Sequence, residues 1–179
     1  MIRRVAALSL STARGFAGRL SGVRNRVVRH ERLLWAGLIA VVLLIQWPML
    51  KGVYYRAAET PAPPTSIEWR TDLDAALAEA RLTRKQVLVD FSADWCPPCI
   101  TMKHDVWPDP AVERALAQSY VPLLIDVDRD DTVAGRYGVG GIPTVLVLDE
   151  TGRVVRRATF LSASAMVRFL REGREPPAN

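Results

Sequence analysis

Residues 87–100 read VLVDFSADWCPPCI, and they hold both cysteines of the 179-residue chain. The first five form a β-branched, apolar run of strand length, interrupted by one carboxylate, Asp90. Two thiols three residues apart follow, with two prolines between them. Proline is tolerated in the first turn of a helix, whose N–H groups have no intrahelical acceptor to lose, so the spacing predicts a helix over 97–104. A CxxC pair at a helix start brings the second sulfur beside the first, and the helix N-terminus favours Cys96 as thiolate. Cys96 can then attack a disulfide in another molecule, and Cys99 can resolve the mixed disulfide. Half of a zinc site is the competing use of CxxC, but zinc takes four ligands and the chain has no second pair. Two cysteines are also too few for a disulfide scaffold, which a chain of this length does not need.

A carboxylate inside an apolar strand is costly unless neutral or hydrogen-bonded. Asp90, six residues before Cys96, is therefore a candidate proton acceptor for Cys99, directly or through water. Gly141-Ile142-Pro143-Thr144 leads into another apolar run, 144–148. A cis bond at Pro143 would expose the Ile142 backbone beside the cysteines, where an extended substrate peptide could pair with it; a trans proline there would be structural only. Upstream, Thr71-Asp72-Leu73-Asp74 opens a helix with the Thr71 hydroxyl as N-cap and Leu73, Ala76, Leu77 and Ala80 inward. Asp109-Pro110 caps a helix over 111–120, a second buried strand is predicted over 121–127, and a short helix over 130–137. Asp149-Glu150-Thr151-Gly152 turns the 144–148 strand into another at 153–159, and Ser162 caps a last helix with Met166, Val167 and Leu170 inward. That order predicts an α/β domain over 67–173, with a mixed central sheet and helices on both faces, and a short tail at 174–179.

The N-terminal third has a different composition. Residues 33–50 carry no charge and would span about 27 Å as a helix, close to a bilayer's hydrocarbon thickness. Trp35, Trp47, Tyr54 and Tyr55 stand near the ends of this stretch, where aromatic rings favour the headgroup level. A transmembrane signal-anchor is expected over 33–55. A cleaved signal peptide would have a shorter apolar run, and nothing else in the chain is apolar enough to surround a core helix. The acid-free, Arg- and Ser-rich residues 1–30 would also suit a mitochondrial presequence ahead of an inner-membrane anchor. Eight arginines precede the span and only Lys51 and Arg56 closely follow it. The positive-inside bias then places residues 1–32 in a bacterial cytoplasm and the main domain in the periplasm, on the far side of the inner membrane. Residues 56–66, with three prolines, read as an extended linker. Ten Lys/Arg against Glu31 alone give +9 over residues 1–56, whereas fourteen against eighteen acids give −4 over 57–179. The folded part lacks the clustered cations a nucleic-acid role would need, so no nucleic-acid partner is expected.

VLVDFSADWCPPC followed by GVGGIPTVLVLDETG resembles the thioredoxin superfamily over about residues 67–172, and ADWCPPCITMKHDVWPDPAVERAL is similar to the C-terminal periplasmic domain of the DsbD thiol:disulfide interchange proteins. The resemblance implies a thioredoxin fold behind a single N-terminal transmembrane helix. It makes Cys96 the nucleophile, Cys99 the resolving cysteine, Asp90 the buried acid, Trp95 an aromatic cover and Pro143 a cis-proline. It implies protein disulfides as substrates and no cofactor beyond the Cys96–Cys99 disulfide. The multi-span electron-relay domain of DsbD proteins is missing from this sequence, which implies a separate membrane electron donor of DsbD or related type. Cytoplasmic thioredoxins often carry a lysine near the buried acid; Leu124 stands at the corresponding position, so the charge tuning of Asp90 differs.

Pro97 and Pro98 delete two N–H groups that would otherwise face a Cys96 thiolate, leaving the Cys99 N–H as the nearest donor. Asp90 and Asp94 add negative charge nearby. Each effect destabilises the thiolate, and a less stable reduced form makes a more reducing pair. The expected function is reduction of extracytoplasmic protein disulfides, in cytochrome c maturation or disulfide repair, with disulfide oxidation or isomerisation by the same fold as the alternative. Copper delivery is the third reading, with Met102 and His104 joining the cysteines as soft ligands. A core methionine and an exposed histidine account for both residues more simply, and no metal is expected.

Overall fold

Strand β1 (Gln86–Ser92) is buried at every position from Val87 to Phe91, which is why its sequence runs apolar without alternation. The structure, a computed structural model, describes residues 31–172. Most of the expected cytoplasmic tail and all of the tail at 174–179 lie outside the described residues. Strand β1 pairs in parallel with β2 (Tyr120–Asp126) and antiparallel with β3 (Thr144–Leu148), whose other side carries β4 (Val154–Ala158), so the sheet order is β2-β1-β3-β4. The described helices are α1 (Glu31–Ile45), α2 (Trp47–Ala57), α3 (Leu73–Thr83), α4 (Pro97–Asp105), α5 (Pro110–Ser119), α6 (Asp131–Arg136) and α7 (Ala163–Glu172).

Side chains on successive strand residues point to opposite faces, and this sorts the core into two layers. Val87, Val89 and Phe91 pack with Leu123, Ile125 and Leu146 against α3 and α6. Leu88 packs with Val145 and Val147 against α4, α5 and α7. Asp90 shares the parity of Leu88 and so lies beneath α4, the helix that carries the cysteines. One edge of the sheet is closed by the chain itself: the Arg70 N–H donates to the Pro122 carbonyl and the Leu124 N–H to the Arg70 carbonyl, each at 2.9 Å. Pro122 is accommodated in β2 because its missing N–H would face that edge.

Local signals place most boundaries, and the differences have simple causes. The N-cap of α3 is Asp72, not Thr71; its carboxylate accepts the Ala75 N–H at 2.7 Å. Both residue types can cap, and Asp72 is the one with the extended backbone, one position before the helix. Asp109 caps α5, accepting from the Ala111 and Val112 N–H groups at 2.8 and 3.3 Å, with Pro110 in the first turn. In α7 Phe169 is buried beside Met166 and Leu170, while Val167 is only half-buried, as three- and four-residue spacing on one face requires.

The apolar N-terminal stretch is not one helix. Helix α1 ends at Ile45 and α2 begins at Trp47, because Pro48 has no N–H to give the Leu44 carbonyl. No single described helix is long and apolar enough to cross a membrane; α1 and α2 satisfy that test of length and composition only as a pair. Among the described residues, those up to Trp47 belong to one unit and those from Pro48 onward to a second. Within the first, Leu34, Leu44 and Ile45 are exposed.

Candidate active site

Helix α4 begins at the cysteines. Cys96 is its N-cap, with extended backbone, and Pro97 and Pro98 occupy the first turn. Cys96 and Cys99 form a disulfide with their Cα atoms 5.3 Å apart, and the Cys99 N–H is directed at Cys96 Sγ, 3.3 Å away. Both cysteines are buried, at 2% and 4% exposure.

Asp90 lies one layer below. Its Oδ2 accepts the Trp107 indole N–H at 3.1 Å, while Oδ1 is buried with no hydrogen-bond partner in the structure. Burial pushes the Asp90 carboxyl up to about 7, against the smaller opposing effect of the Trp107 hydrogen bond. Leu124, its register partner across β1 and β2, supplies no charge. Asp90 and Cys99 together line a cavity of about 560 Å³, whose wall also includes Lys103, Trp107, Leu124 and linker residues Thr60 to Pro63. The arrangement therefore lines one open pocket with the second cysteine and a carboxyl whose titration burial has moved up to about 7.

The remaining sequence-expected residues are spread around this pair. The Ile142–Pro143 peptide bond is cis. Thr144 opens β3 opposite Phe91, so Ile142 and Pro143 lie at the same end of the sheet as the cysteines that follow β1. Trp95 is half exposed and its indole N–H donates to Asp128 Oδ2 at 2.8 Å. Asp94 is exposed on the cavity rim. Met102 is a core residue, and the His104 ring is stacked on Tyr55 with centroids 4.1 Å apart. Among the described residues no group of three or more His, Cys, Asp or Glu side chains could hold a metal ion.

Trp107 and Asp128 were not singled out by sequence reasoning. Trp107 lies in the turn that follows α4, beyond the end of the helix, so no helical spacing from the cysteines marks it. Asp128 lies in a turn, and nothing in its neighbours marks it.

Residues 68–150 match the thioredoxin-like family model. The thiol:disulfide interchange protein DsbD of Escherichia coli K12 is 32% identical over 152 residues, covering 80% of this chain; the chain spans 26% of that protein's length. Among solved structures, a thioredoxin from Thermus thermophilus superposes with a TM-score of 0.54 at 30% identity, over 60% of this chain and 87% of that one. The C-terminal domain of Neisseria meningitidis DsbD, in its oxidised form, superposes with a TM-score of 0.51 at 26% identity, over 60% of this chain and all of that domain.

Proposed function

The chain is a thiol-disulfide oxidoreductase of the thioredoxin superfamily, and from that premise we propose that it is a membrane-tethered reductase of protein disulfides outside the cytoplasm. In the proposed cycle the Cys96 thiolate attacks one sulfur of a partner's disulfide, forming a mixed disulfide and releasing the other partner sulfur as a thiolate. Asp90 takes the Cys99 proton, and the Cys99 thiolate attacks Cys96 Sγ. The Cys96–Cys99 disulfide forms, the partner's second thiolate leaves, and two electrons have passed to the partner. A separate membrane electron donor of DsbD type returns two electrons to the pair.

The observation that carries this reading is the shared cavity of Asp90 and Cys99, with Asp90 Oδ1 unpartnered. A carboxyl that titrates near 7 exchanges protons at working pH, which an ordinary aspartate does not. Ile142 and Pro143 supply backbone for an extended substrate, and Trp95 an apolar contact. Pro97, Pro98 and Asp94 hold the pair on the reducing side by denying the Cys96 thiolate donors and adding charge against it. The apolar stretch ahead of Lys51 is the tether, and the arginine-rich sequence before it supports a periplasmic position. Cytochrome c maturation and disulfide repair are the processes this chemistry would serve.

The test is trapping in cells. Cys99→Ser should accumulate partners joined through Cys96 as mixed disulfides, reversible by dithiothreitol. Absence of any disulfide-linked partner, with the variant protein present at normal level, would sink the proposal.

A further inference from the structure

One flank of α4 is covered by the chain's own helix α2, over the stretch from Pro48 to Ala57. The Thr101 hydroxyl donates to the Pro48 carbonyl at 2.6 Å. The Lys51 ammonium pairs with Asp105, and the Tyr55 hydroxyl donates to the other oxygen of the same carboxylate at 2.9 Å. The Tyr55 ring lies flat on His104, within 8° of parallel. Arg56 donates to the Trp95 carbonyl at 3.3 Å, beside the first cysteine. Gly52 explains how the helices come so close. It is the one buried residue of α2, and a Cβ there would sit 1.7 Å from the Pro97 carbonyl oxygen. Only a residue without a side chain allows backbone to meet backbone at that point.

These contacts lie against the residues on either side of Cys96. A thiolate attacking a disulfide must reach the sulfur, and an approaching protein brings at least a strand's width, about 4.7 Å, of its own backbone. With Trp95 and Pro97 both contacted by α2 and both sulfurs buried, a small reductant has an easier path than a protein.

We propose that the flank of α4 formed by Pro97, Thr101, His104 and Asp105 is a docking surface whose resident occupant is α2, and that α2 leaves it before a protein disulfide reaches Cys96. The proposal deepens the exchange reading above and rests on it for its biological meaning, but its physical content is steric.

The test uses the full-length reduced protein in detergent micelles. It compares labelling of Cys96 by N-ethylmaleimide and by a 5-kDa polyethylene glycol maleimide, in a Cys99→Ser background. Both reagents share one reaction, so the ratio of their rates cancels changes in thiolate content and reports access alone. Lys51→Glu and Asp105→Lys should each raise the large-to-small ratio by about fivefold, since each replaces a partly exposed ion pair with like charges. The double exchange should bring the ratio back to within about twofold of the starting protein. Gly52→Leu, which cannot dock, should exceed either single exchange. Ratios unchanged in all three single variants would overturn the proposal, as would a double exchange that labels like the singles. Neither outcome bears on whether Cys99→Ser traps partners, so the two readings fail separately.

Discussion

Asp90→Asn separates the burial cost of the carboxylate from everything else in the domain. In the unfolded chain the group titrates near the 3.8 of an ordinary aspartate; in the fold it titrates near 7. Between those values the unfolded state releases a proton that the folded state keeps, so stability falls as pH rises, by about 1.4 kcal/mol per unit. Stability is highest below the unfolded pKa, and the loss is complete once pH has passed the folded one. Across roughly three units the total is about 4 kcal/mol. The asparagine cannot ionise and lacks this dependence, although its buried amide costs about 1–3 kcal/mol at all pH for want of a partner. Urea unfolding of the oxidised, detergent-solubilised protein between pH 4 and 8.5 gives the stability of both forms. Their difference cancels every other titrating group. It should shift in favour of the variant by about 4 kcal/mol from the acid to the alkaline end. A difference that stays flat over this range would mean that Asp90 ionises as an exposed aspartate does, and the proton-acceptor role would lose its basis.

Trp107→Phe keeps the edge contact with the Trp69 ring, at 5.1 Å between centroids, but removes the N–H from Asp90 Oδ2. The midpoint of the same pH-dependent loss should move up by about one unit, and Trp107→Ala should add a cavity cost of about 3–5 kcal/mol. Pro97→Ala or Pro98→Ala offers the Cys96 thiolate a new donor; each should lower its pKa by about one unit and raise the reduction potential by about 30 mV in a titration against glutathione. A fall in potential would contradict the account of the prolines. Asp109→Ala uncaps α5 and should cost about 1 kcal/mol, seen as a drop of about 2–4 °C in melting temperature with exchange activity intact.

How far the sequence reaches depends on the range of the interaction. Strand β3 matches its expected limits, Thr144–Leu148, because a fully buried strand is an unbroken apolar run ended by turn residues. The hairpin is legible for the same reason: Asp149 accepts the Thr151 and Arg153 N–H groups at 2.9 Å and Gly152 takes a positive φ of 86°. The depth of Asp90 could be read from its neighbours. Its hydrogen bond to Trp107 could not, since an indole seventeen residues away is placed by the packing of α4 on the sheet. The break at Gln46 was obscured by composition, because hydropathy averages over Pro48 while the hydrogen-bond ladder does not. Least visible was the contact of α2 with α4. Lys51 and Asp105 are separated by 54 residues, and nothing periodic connects them. Gly52 looks like any helix glycine until Pro97 is seen against it.

The edges of the sheet bear on the company this domain keeps. On the β2 side the Arg70 backbone already fills the hydrogen-bonding positions, and Pro122 withholds one donor. On the β4 side Val154 and Val155 are partly exposed, a row that invites a second strand. Arg153, Arg156 and Arg157 stand along that row, with Arg156 tied to Glu172 and Arg157 to the Tyr137 and Gly138 carbonyls. Bringing two such rows together would press like charges against each other. Where copies of such a domain meet, unpaired strand backbone is where they would stick. One edge is thus guarded by arginine and the other closed by the chain itself, so neither offers a second copy an open row of strand backbone.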